Sequence, residues 1–341
     1  MIKVKIYELE KHRNETTFRP YLFAEREFNE IGIQFVKDES YDFAWVGQAS
    51  IVDKKLPLSE SVELGIKFLE KNVGDNFFLF DGQDASSLIG TYEILKNSKA
   101  LLLFKNSLLT DRNLYKEKWV NGRYYWGSGN YSCDDIDNHI DKIKLSGTNW
   151  LSTVKYDTWF DYNVNKSFDV SALFGFPFPK VNYEHELIQS DEYNKHRKKC
   201  IEAVNNLTVN VAKLNNGIKL SQNEYYNTMY NSKIILAPFG YGEIAPRDIE
   251  SAIFGSVLLK PCMNHVDTYP NIYIDGETYI SCKHDYSDLE EKVDYILSNY
   301  KQLQPYLVEN MRKKYKELYS NTNLVMHMYN IFSGHKKFTT Q

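Results

Sequence analysis

The residues of this 341-residue chain whose types and spacing most suggest chemistry surround Pro246. An apolar segment leads into Gly240, Tyr241, Gly242 and Glu243, and Pro246 then opens a predicted helix that carries Arg247 and Glu250. Proline is preset for the first helical position, and the first turn offers unpaired N–H groups and positive dipole charge. A guanidinium beside these amides predicts a phosphate site. A carboxylate one turn deeper can accept from two vicinal ribose hydroxyls.

A simpler interpretation of Arg247 and Glu250 is an exposed ion pair, three residues apart, on an ordinary helix of an α/β sheet. The surroundings favour the phosphate site. Glycines precede the helix, proline begins it, and apolar strand-like segments lie on both sides, at 234–237 and 257–259.

Two further carboxylates, Asp81 and Asp84, directly follow the apolar segment 77–80, where a buried strand is predicted to end. Ligands of parallel α/β sheets bind at the carboxyl ends of the strands, so either carboxylate could act as a general base. The structural alternative is a strand-end turn, with Asp84 as the N-cap of the next helix.

The composition is that of a globular protein, with 43% hydrophobic and 25% charged residues. A formal net charge of -4 argues against a generally basic nucleic-acid-binding surface. Four scattered cysteines are too few for a disulfide framework. No signal-type segment opens the sequence, and no apolar run approaches the ~20 residues of a membrane span. We therefore expect a cytoplasmic protein without a membrane span.

Strand-like and helix-like segments alternate in the first half of the chain and again in the second half. This pattern predicts α/β structure with parallel sheets. In the first half they include a helix over 86–95; in the second half, Ser221 and Glu224 have the spacing of a capping box. A chain of this length favours two domains. We predict a first domain over 1–165 with long loops at 108–166, a second over 166–303, and C-terminal helices over 304–341 that pack back on the first.

The stretch 225–261 resembles the exostosin-like and related group-1 glycosyltransferases, whose GT-B fold has two Rossmann-like domains with a cleft between them. The resemblance rests on a Ser-Lys pair before the strand, Pro-x-Gly after it, Arg247-x-x-Glu250, and Gly255-x-Val257. It implies that Arg247 contacts the donor diphosphate and Glu250 the donor ribose. The Glu-x7-Glu version of the motif is not intact, because Gly242 stands where its first glutamate would be and Glu243 follows.

A second resemblance, to phage DNA β-glucosyltransferases of the same fold, concerns shorter segments. Their catalytic aspartate follows an aromatic-rich strand, as Asp81 and Asp84 do here, and an arginine opens a helix after a strand and glycine, as Arg197 does. The resemblance implies a base among the two aspartates and a second diphosphate ligand in Arg197, for which a solvated helix face is the alternative. The loop at 215–217, with Asn216, is expected beside the nucleotide base.

Three other groups of residues have types that occur at chemical sites. Asp134, Asp135 and Asp137 could mimic the Asp-x-Asp metal motif of GT-A enzymes, although acidic loop clusters are mostly solvated. Cys262 with His265 and Cys282 with His284 could be imagined as a zinc site, but the second pair lacks the usual spacing. His12 could be an acceptor-side residue or a surface histidine. We expect no metal.

Together these patterns predict a metal-independent glycosyltransferase. It would move a sugar from a UDP- or GDP-type donor, bound by the second domain, to a glycan or other hydroxyl acceptor on the first. A DNA acceptor is an alternative that the negative net charge does not favour. An alternative of another class is a two-lobed small-molecule or sugar-binding protein without catalysis. Inversion and retention of the anomeric configuration both stay open.

Overall fold

The computed structural model describes residues 1–7, 14–38, 40–53, 56–148, 159–175, 190–213 and 220–334. Its strands are β1 (Ile2–Tyr7), β2 (Ile33–Val36), β3 (Phe43–Gly47), β4 (Phe77–Asp81), β5 (Leu102–Lys105), β6 (Leu108–Leu109), β7 (Ile143–Leu145), β8 (Phe168–Ala172), β9 (Val211–Lys213), β10 (Ser232–Leu236), β11 (Val257–Pro261), β12 (Val266–Asp267) and β13 (Ile280–Cys282). Its helices are α1 (Asn14–Phe23), α2 (Glu25–Glu30), α3 (Leu58–Asn72), α4 (Thr91–Asn97), α5 (Ser190–Asn205), α6 (Gln222–Tyr230), α7 (Pro246–Ile253), α8 (Leu289–Ser298), α9 (Tyr300–Leu318) and α10 (Asn321–Ser333).

The first lobe is a six-stranded parallel sheet in the order β2-β1-β3-β4-β5-β7. Side chains alternate between the two faces of a strand, so each strand serves two cores. Val46 and Leu79 face α3 and α4, whereas Trp45 and Phe78 face α1, α2 and α10. Helices on both faces explain why β3, β4 and β5 are buried along their whole length.

The second lobe is a five-stranded parallel sheet in the order β13-β11-β10-β8-β9. One face packs on α6, α7 and part of α9, and the other packs on α5 and α8. Ser221 caps α6, since its Oγ accepts from Glu224 N while the Glu224 carboxylate accepts from Ser221 N. The predicted capping box is therefore confirmed.

Helix α10 crosses back to the first lobe. It follows α9, and its Leu324, Met328 and Phe332 complete the apolar cluster around Trp45. The His327 ring nitrogen Nε2 lies 2.8 Å from Leu145 O at the end of β7. The predicted fold, two Rossmann-like lobes with a returning C-terminal helix, is confirmed. No helix in the described part of the chain is both long and apolar enough to span a membrane.

Two local predictions differ from the structure. In the segment 108–166, predicted as long loops, residues 108–148 contain β6, β7 and a series of short 3-10 turns, and residues 149–158 lie outside the described ranges. The helix predicted over 86–95 begins only at Thr91, because Gly90 adopts a positive φ of 83° and Ser86 binds the other lobe. Strand β6 pairs antiparallel with β12 of the second lobe. These segments therefore form part of the contact between the lobes.

Candidate functional site

The glycine loop, residues 240–243, connects β10 to α7 at the carboxyl end of the second sheet. Gly240 N donates to Gly242 O at 3.0 Å, which closes a tight turn. A Cβ built on Gly242 would collide with the backbone carbonyl of Asp84 in the first lobe. Glycine is therefore required here by the approach of the opposite lobe, which explains why Gly242 replaces the glutamate of the motif.

Pro246 occupies the first position of α7, and Asp248 caps the helix by accepting from Ala245 N at 3.0 Å. The same oxygen, Asp248 Oδ2, accepts from Lys260 Nζ at 2.7 Å and from Tyr273 Oη at 2.6 Å. Lys260 also donates to Glu243 O at 2.8 Å. A fully buried ion pair thus fixes the end of the glycine loop and the start of α7 relative to β11.

Neither Lys260 nor Asp248 was singled out from the sequence. Burial lowers the pKa of Lys260, and the neighbouring Asp248 carboxylate opposes that shift. The sequence does contain a signal for this ion pair, since Lys260 directly follows three apolar residues of a predicted buried strand. A buried charge requires a partner, so an acidic residue is expected beside it.

Arg247 lies half-buried in the first turn of α7, with Nη1 3.5 Å from Leu173 O just after β8. Its Nε is buried and has no acceptor among the described residues. Most buried polar groups of folded proteins are hydrogen-bonded, so an unpaired donor at the start of a helix is a candidate for a bond to a ligand or water. An anionic oxygen suits a guanidinium best.

Glu250 lies one turn beyond Arg247 and is only 6% exposed. Tyr225 Oη, from α6, donates to Glu250 Oε2 at 2.6 Å. Burial raises the pKa of Glu250, and the Tyr225 hydrogen bond and the Arg247 charge oppose that shift. The interpretation of Arg247 and Glu250 as an exposed surface ion pair is therefore wrong.

Arg197 projects from α5 to the same end of β8 as Arg247. Its Nη1 donates to Gly175 O at 2.8 Å and its Nε to Phe239 O at 3.4 Å, and the side chain is 6% exposed. The alternative of a solvated helix face is wrong for this residue. Burial raises the pKa of the nearby Cys200 thiol, and both arginine charges act against that shift. Two guanidinium groups therefore converge on the loop that follows β8.

The two candidate bases occupy different environments. Asp81 is fully buried, and its oxygens accept from Lys105 Nζ at 3.2 Å, Thr91 Oγ1 at 2.7 Å and Gln83 N at 3.0 Å. Asp84 is partly exposed and lies where the first lobe meets Gly242. Its charge is close enough to Tyr125 to raise the pKa of that phenol, although burial is the larger cause.

Glu243 is fully buried between the lobes. Its carboxylate accepts from Ser86 N at 3.0 Å and from Ser86 Oγ at 2.6 Å, and His265 Nε2 lies 3.8 Å away. Two more first-lobe residues that were not singled out reach the glycine loop. Arg123 Nε donates to Tyr241 O at 2.5 Å and Tyr125 Oη to Gly240 O at 3.1 Å.

The acidic cluster at 134–137 and the Cys/His pairs, which could be metal sites by sequence, make other contacts in the structure. Asp135 pairs with Lys96 at 2.7 Å and Asp137 with Lys116 at 2.6 Å. His284 Nε2 lies 2.9 Å from Cys262 O. Within the described ranges, no three His, Cys, Asp or Glu side chains are arranged to hold a metal ion. Asn216 with its loop at 215–217, and His12, lie outside the described residues.

Comparison with solved structures identifies the architecture. An alpha-glucosyltransferase in complex with UDP aligns over 97% of this chain and 99% of its own, with a TM-score of 0.51 and 12% identity. The chain has the GT-B fold. An alpha-glucosyltransferase with UDP and a 13-mer DNA containing an HMU base gives a TM-score of 0.49 at 10% identity, over 97% and 99% of the two chains. Sucrose-phosphate synthase from Thermosynechococcus elongatus gives 0.45 at 12% identity, over 97% and 81%.

At the level of sequence, no family model matches this GT-B chain, and no curated protein does. The fold is therefore recognised through topology, and the chemistry has to be argued from the site itself.

Proposed function

We propose that the protein is a glycosyltransferase that moves a sugar from a nucleotide-diphosphate sugar of the UDP type to a hydroxyl acceptor. The observation that carries the proposal is the buried Nε of Arg247, which has no acceptor in the described part of the chain, in the first turn of α7. The solved structure with the same fold at a TM-score of 0.51 is a complex with UDP. That complex supports UDP as the first nucleotide to test.

The donor would lie along the carboxyl end of the second sheet. Arg247, Arg197 and the positive end of the α7 dipole would hold the diphosphate, and Glu250 would accept from the ribose hydroxyls. Gly240, Tyr241 and Gly242 would border the diphosphate, and Asn216 the base. We assign Glu243 to the contact with Ser86, because both of its carboxylate oxygens already accept from that residue.

The chemistry follows from where charge develops. The bond between the anomeric carbon and the diphosphate oxygen breaks, and the acceptor oxygen bonds to that carbon. Negative charge accumulates on the departing nucleoside diphosphate, where two guanidinium groups and the α7 dipole would stabilise it. If the transfer inverts the anomeric configuration, a base must take the proton of the acceptor hydroxyl. We propose Asp84 for this role, since the carboxylate of Asp81 is held by Lys105 and Thr91.

The test is titration calorimetry with UDP and GDP on the wild-type protein and on Arg247→Ala and Arg197→Ala. We expect UDP to bind and each substitution to weaken it at least about tenfold, as loss of a charge-assisted hydrogen bond predicts. Lys198→Ala is the matched control. It neighbours Arg197 on α5 but is exposed, with Glu202 3.8 Å away, so it should bind UDP like the wild type.

Two results would contradict the proposal. One is unchanged UDP affinity in both arginine variants. The other is a wild-type protein that binds free sugars tightly and binds neither nucleotide, which would favour the two-lobed sugar-binding alternative. Release of UDP from a UDP-sugar then separates a transferase from a protein that only binds the nucleotide.

A further inference from the structure

The first lobe contacts all four residues of the glycine loop. Tyr125 Oη donates to Gly240 O and Arg123 Nε donates to Tyr241 O. The Asp84 carbonyl lies against Gly242, and Ser86 donates twice to Glu243. The loop belongs to the second lobe by its position after β10, yet its backbone is held from the opposite lobe. Its shape therefore depends on residues more than a hundred positions away in the sequence.

Of these first-lobe residues, Arg123 has the most tightly held side chain. Its side chain is 4% exposed, and its guanidinium lies 4.6 Å above the ring of Trp126. Nη1 donates to Asn121 O at 3.4 Å, while Nε reaches Tyr241 O. Asn121 adopts a positive φ of 49°, a conformation that asparagine tolerates better than most residues. Such a buried charged donor has little freedom to move, so it fixes the carbonyl that it binds.

The conformation of the glycine loop also sets the start of α7. Ile244 and Ala245 alone separate the loop from Pro246 and Arg247. The Glu243 backbone is tied to Lys260, and Lys260 to the helix-capping Asp248. A displacement of Tyr241 would therefore be transmitted to the first-turn amides and to Arg247.

We propose that Arg123, on the lobe opposite the donor, is a positioning residue for the donor diphosphate and acts through Tyr241. Tyr125 and Ser86 hold the same loop and share this role. The inference rests on the proposed function, because it assumes that a diphosphate binds at α7. It goes further by placing part of the control of donor affinity in the acceptor-side lobe.

A different contact between the lobes provides a matched control. Arg112 pairs with Asp267 at 2.9 Å, next to the β6–β12 pairing, and within the described residues its side chain makes no hydrogen bond to the glycine loop. Arg112 and Arg123 are both first-lobe arginines bound to the second lobe. If Arg123 served only to keep the lobes together, Arg112→Ala would weaken donor binding in the same way.

The experiment measures UDP affinity by calorimetry for the wild type, Arg123→Ala, Arg123→Lys and Arg112→Ala. We expect Arg123→Ala to bind UDP about tenfold more weakly and Arg123→Lys about threefold, since lysine keeps the charge but not the planar donor geometry. Arg112→Ala should match the wild type. With a UDP-sugar, KM should rise in Arg123→Ala while kcat changes little, as expected when the loss is in donor binding.

Tyr125→Phe keeps the proposal testable if Arg123→Ala does not fold. It preserves the ring packing on Phe239, at 4.9 Å, and removes only the hydroxyl that donates to Gly240 O. UDP affinity should fall about threefold, a neutral hydrogen bond being worth less than a charged one.

Equal losses in Arg112→Ala and Arg123→Ala would overturn the inference in favour of simple lobe association. Unchanged affinity in both Arg123 variants and in Tyr125→Phe would overturn it as well. A wild-type protein that binds no UDP or GDP would instead refute the proposed function, and the positioning role with it.

Discussion

Lys260 and Asp248 are the charges that the second lobe buries beside the glycine loop, and Lys105 and Asp81 are their counterparts in the first. In both lobes the lysine stands on a parallel strand, β11 or β5, near its carboxyl end. A protein with such a buried ion pair is about as stable as one with two apolar side chains in its place. Removing one partner alone is destabilising, because the other charge is left buried and unpaired. The two pairs fix loop geometry at the edge of each sheet that faces the other lobe.

Replacing Lys260 by Met should lower the free energy of unfolding by about 3 kcal/mol, because Asp248 is left buried and unpaired. Lys99→Met is the control. Lys99 pairs with Asp75 at 2.8 Å on the surface, and an exposed pair contributes less than about 1 kcal/mol. Urea unfolding curves measure both, and equal midpoints for the two variants would contradict the assigned role of Lys260.

Asp84→Asn should reduce the release of UDP from a UDP-sugar by at least about 100-fold while UDP affinity changes little, because the variant removes the proposed base and keeps the size of the side chain. Asp81→Asn should lose stability, since Lys105 loses its charged partner. The measurements are turnover for Asp84→Asn and urea unfolding for both variants. Full turnover in Asp84→Asn would remove Asp84 from the mechanism.

At the scale of elements, three histidines pack around Phe239 where the lobes meet. His196 stacks on the Phe239 ring at 5.6 Å, and His265 and His284 lie at 5.9 and 5.6 Å. Burial lowers the pKa of His196 and of His265 to about 3 each, with the His284 charge contributing in the same direction. For His265 a hydrogen bond to the Cys262 backbone opposes the lowering of the pKa, and burial outweighs it. Both rings are therefore neutral in the folded protein near neutral pH.

This cluster predicts acid sensitivity. An unfolded histidine takes up a proton below about pH 6.5, whereas these two do so in the folded state only near pH 3. The unfolded state then binds more protons, so stability falls as the pH drops from 6.5 towards 3. Between pH 6.5 and 5 the loss should be about 2 kcal/mol per histidine. His265→Gln should show a shallower decline in urea unfolding; a slope identical to wild type would contradict the assignment.

The elements around the proposed donor site are predicted by the sequence to different degrees. Pro246 and the apolar segments beside it predict α7, β10 and β11, because their signals are local. The Arg123–Tyr241 contact spans 118 positions and joins two irregular segments, for which neither periodicity nor a turn motif exists. The environment of Asp81 was equally hidden, since its partner Lys105 is 24 residues away on a neighbouring strand. Long-range pairing decides these positions, and a single sequence does not record it.

At the scale of the whole molecule, α10 joins the second lobe to the core of the first. The Phe332 ring lies 5.9 Å from Trp45, 5.3 Å from Phe78 and 5.9 Å from Phe104. The side chain is almost fully buried in the cluster that these rings share. The first sheet therefore has one of its two faces covered in part by a helix that follows the second lobe in sequence.

Phe332→Ala should cost about 3–5 kcal/mol of stability, because it opens a cavity among large rings. Tyr329→Ala, on the same helix but 45% exposed, is the matched control and should change stability by less than about 0.5 kcal/mol. Urea unfolding curves measure the stability of both variants. Equal effects of the two substitutions would contradict the contribution of α10 to the first core.

The position of α10 also orders events during synthesis. Trp45, Phe78 and Phe104 leave the ribosome long before Phe332. Domains generally fold as they emerge, N-terminal first. Here the part of the aromatic sheet face that α10 covers has to stay open until the second lobe has been translated, while α1 and α2 can already pack on the rest. The nascent chain therefore exposes a chaperone-accessible surface for most of its translation, and truncation before α10 would leave that surface permanently exposed.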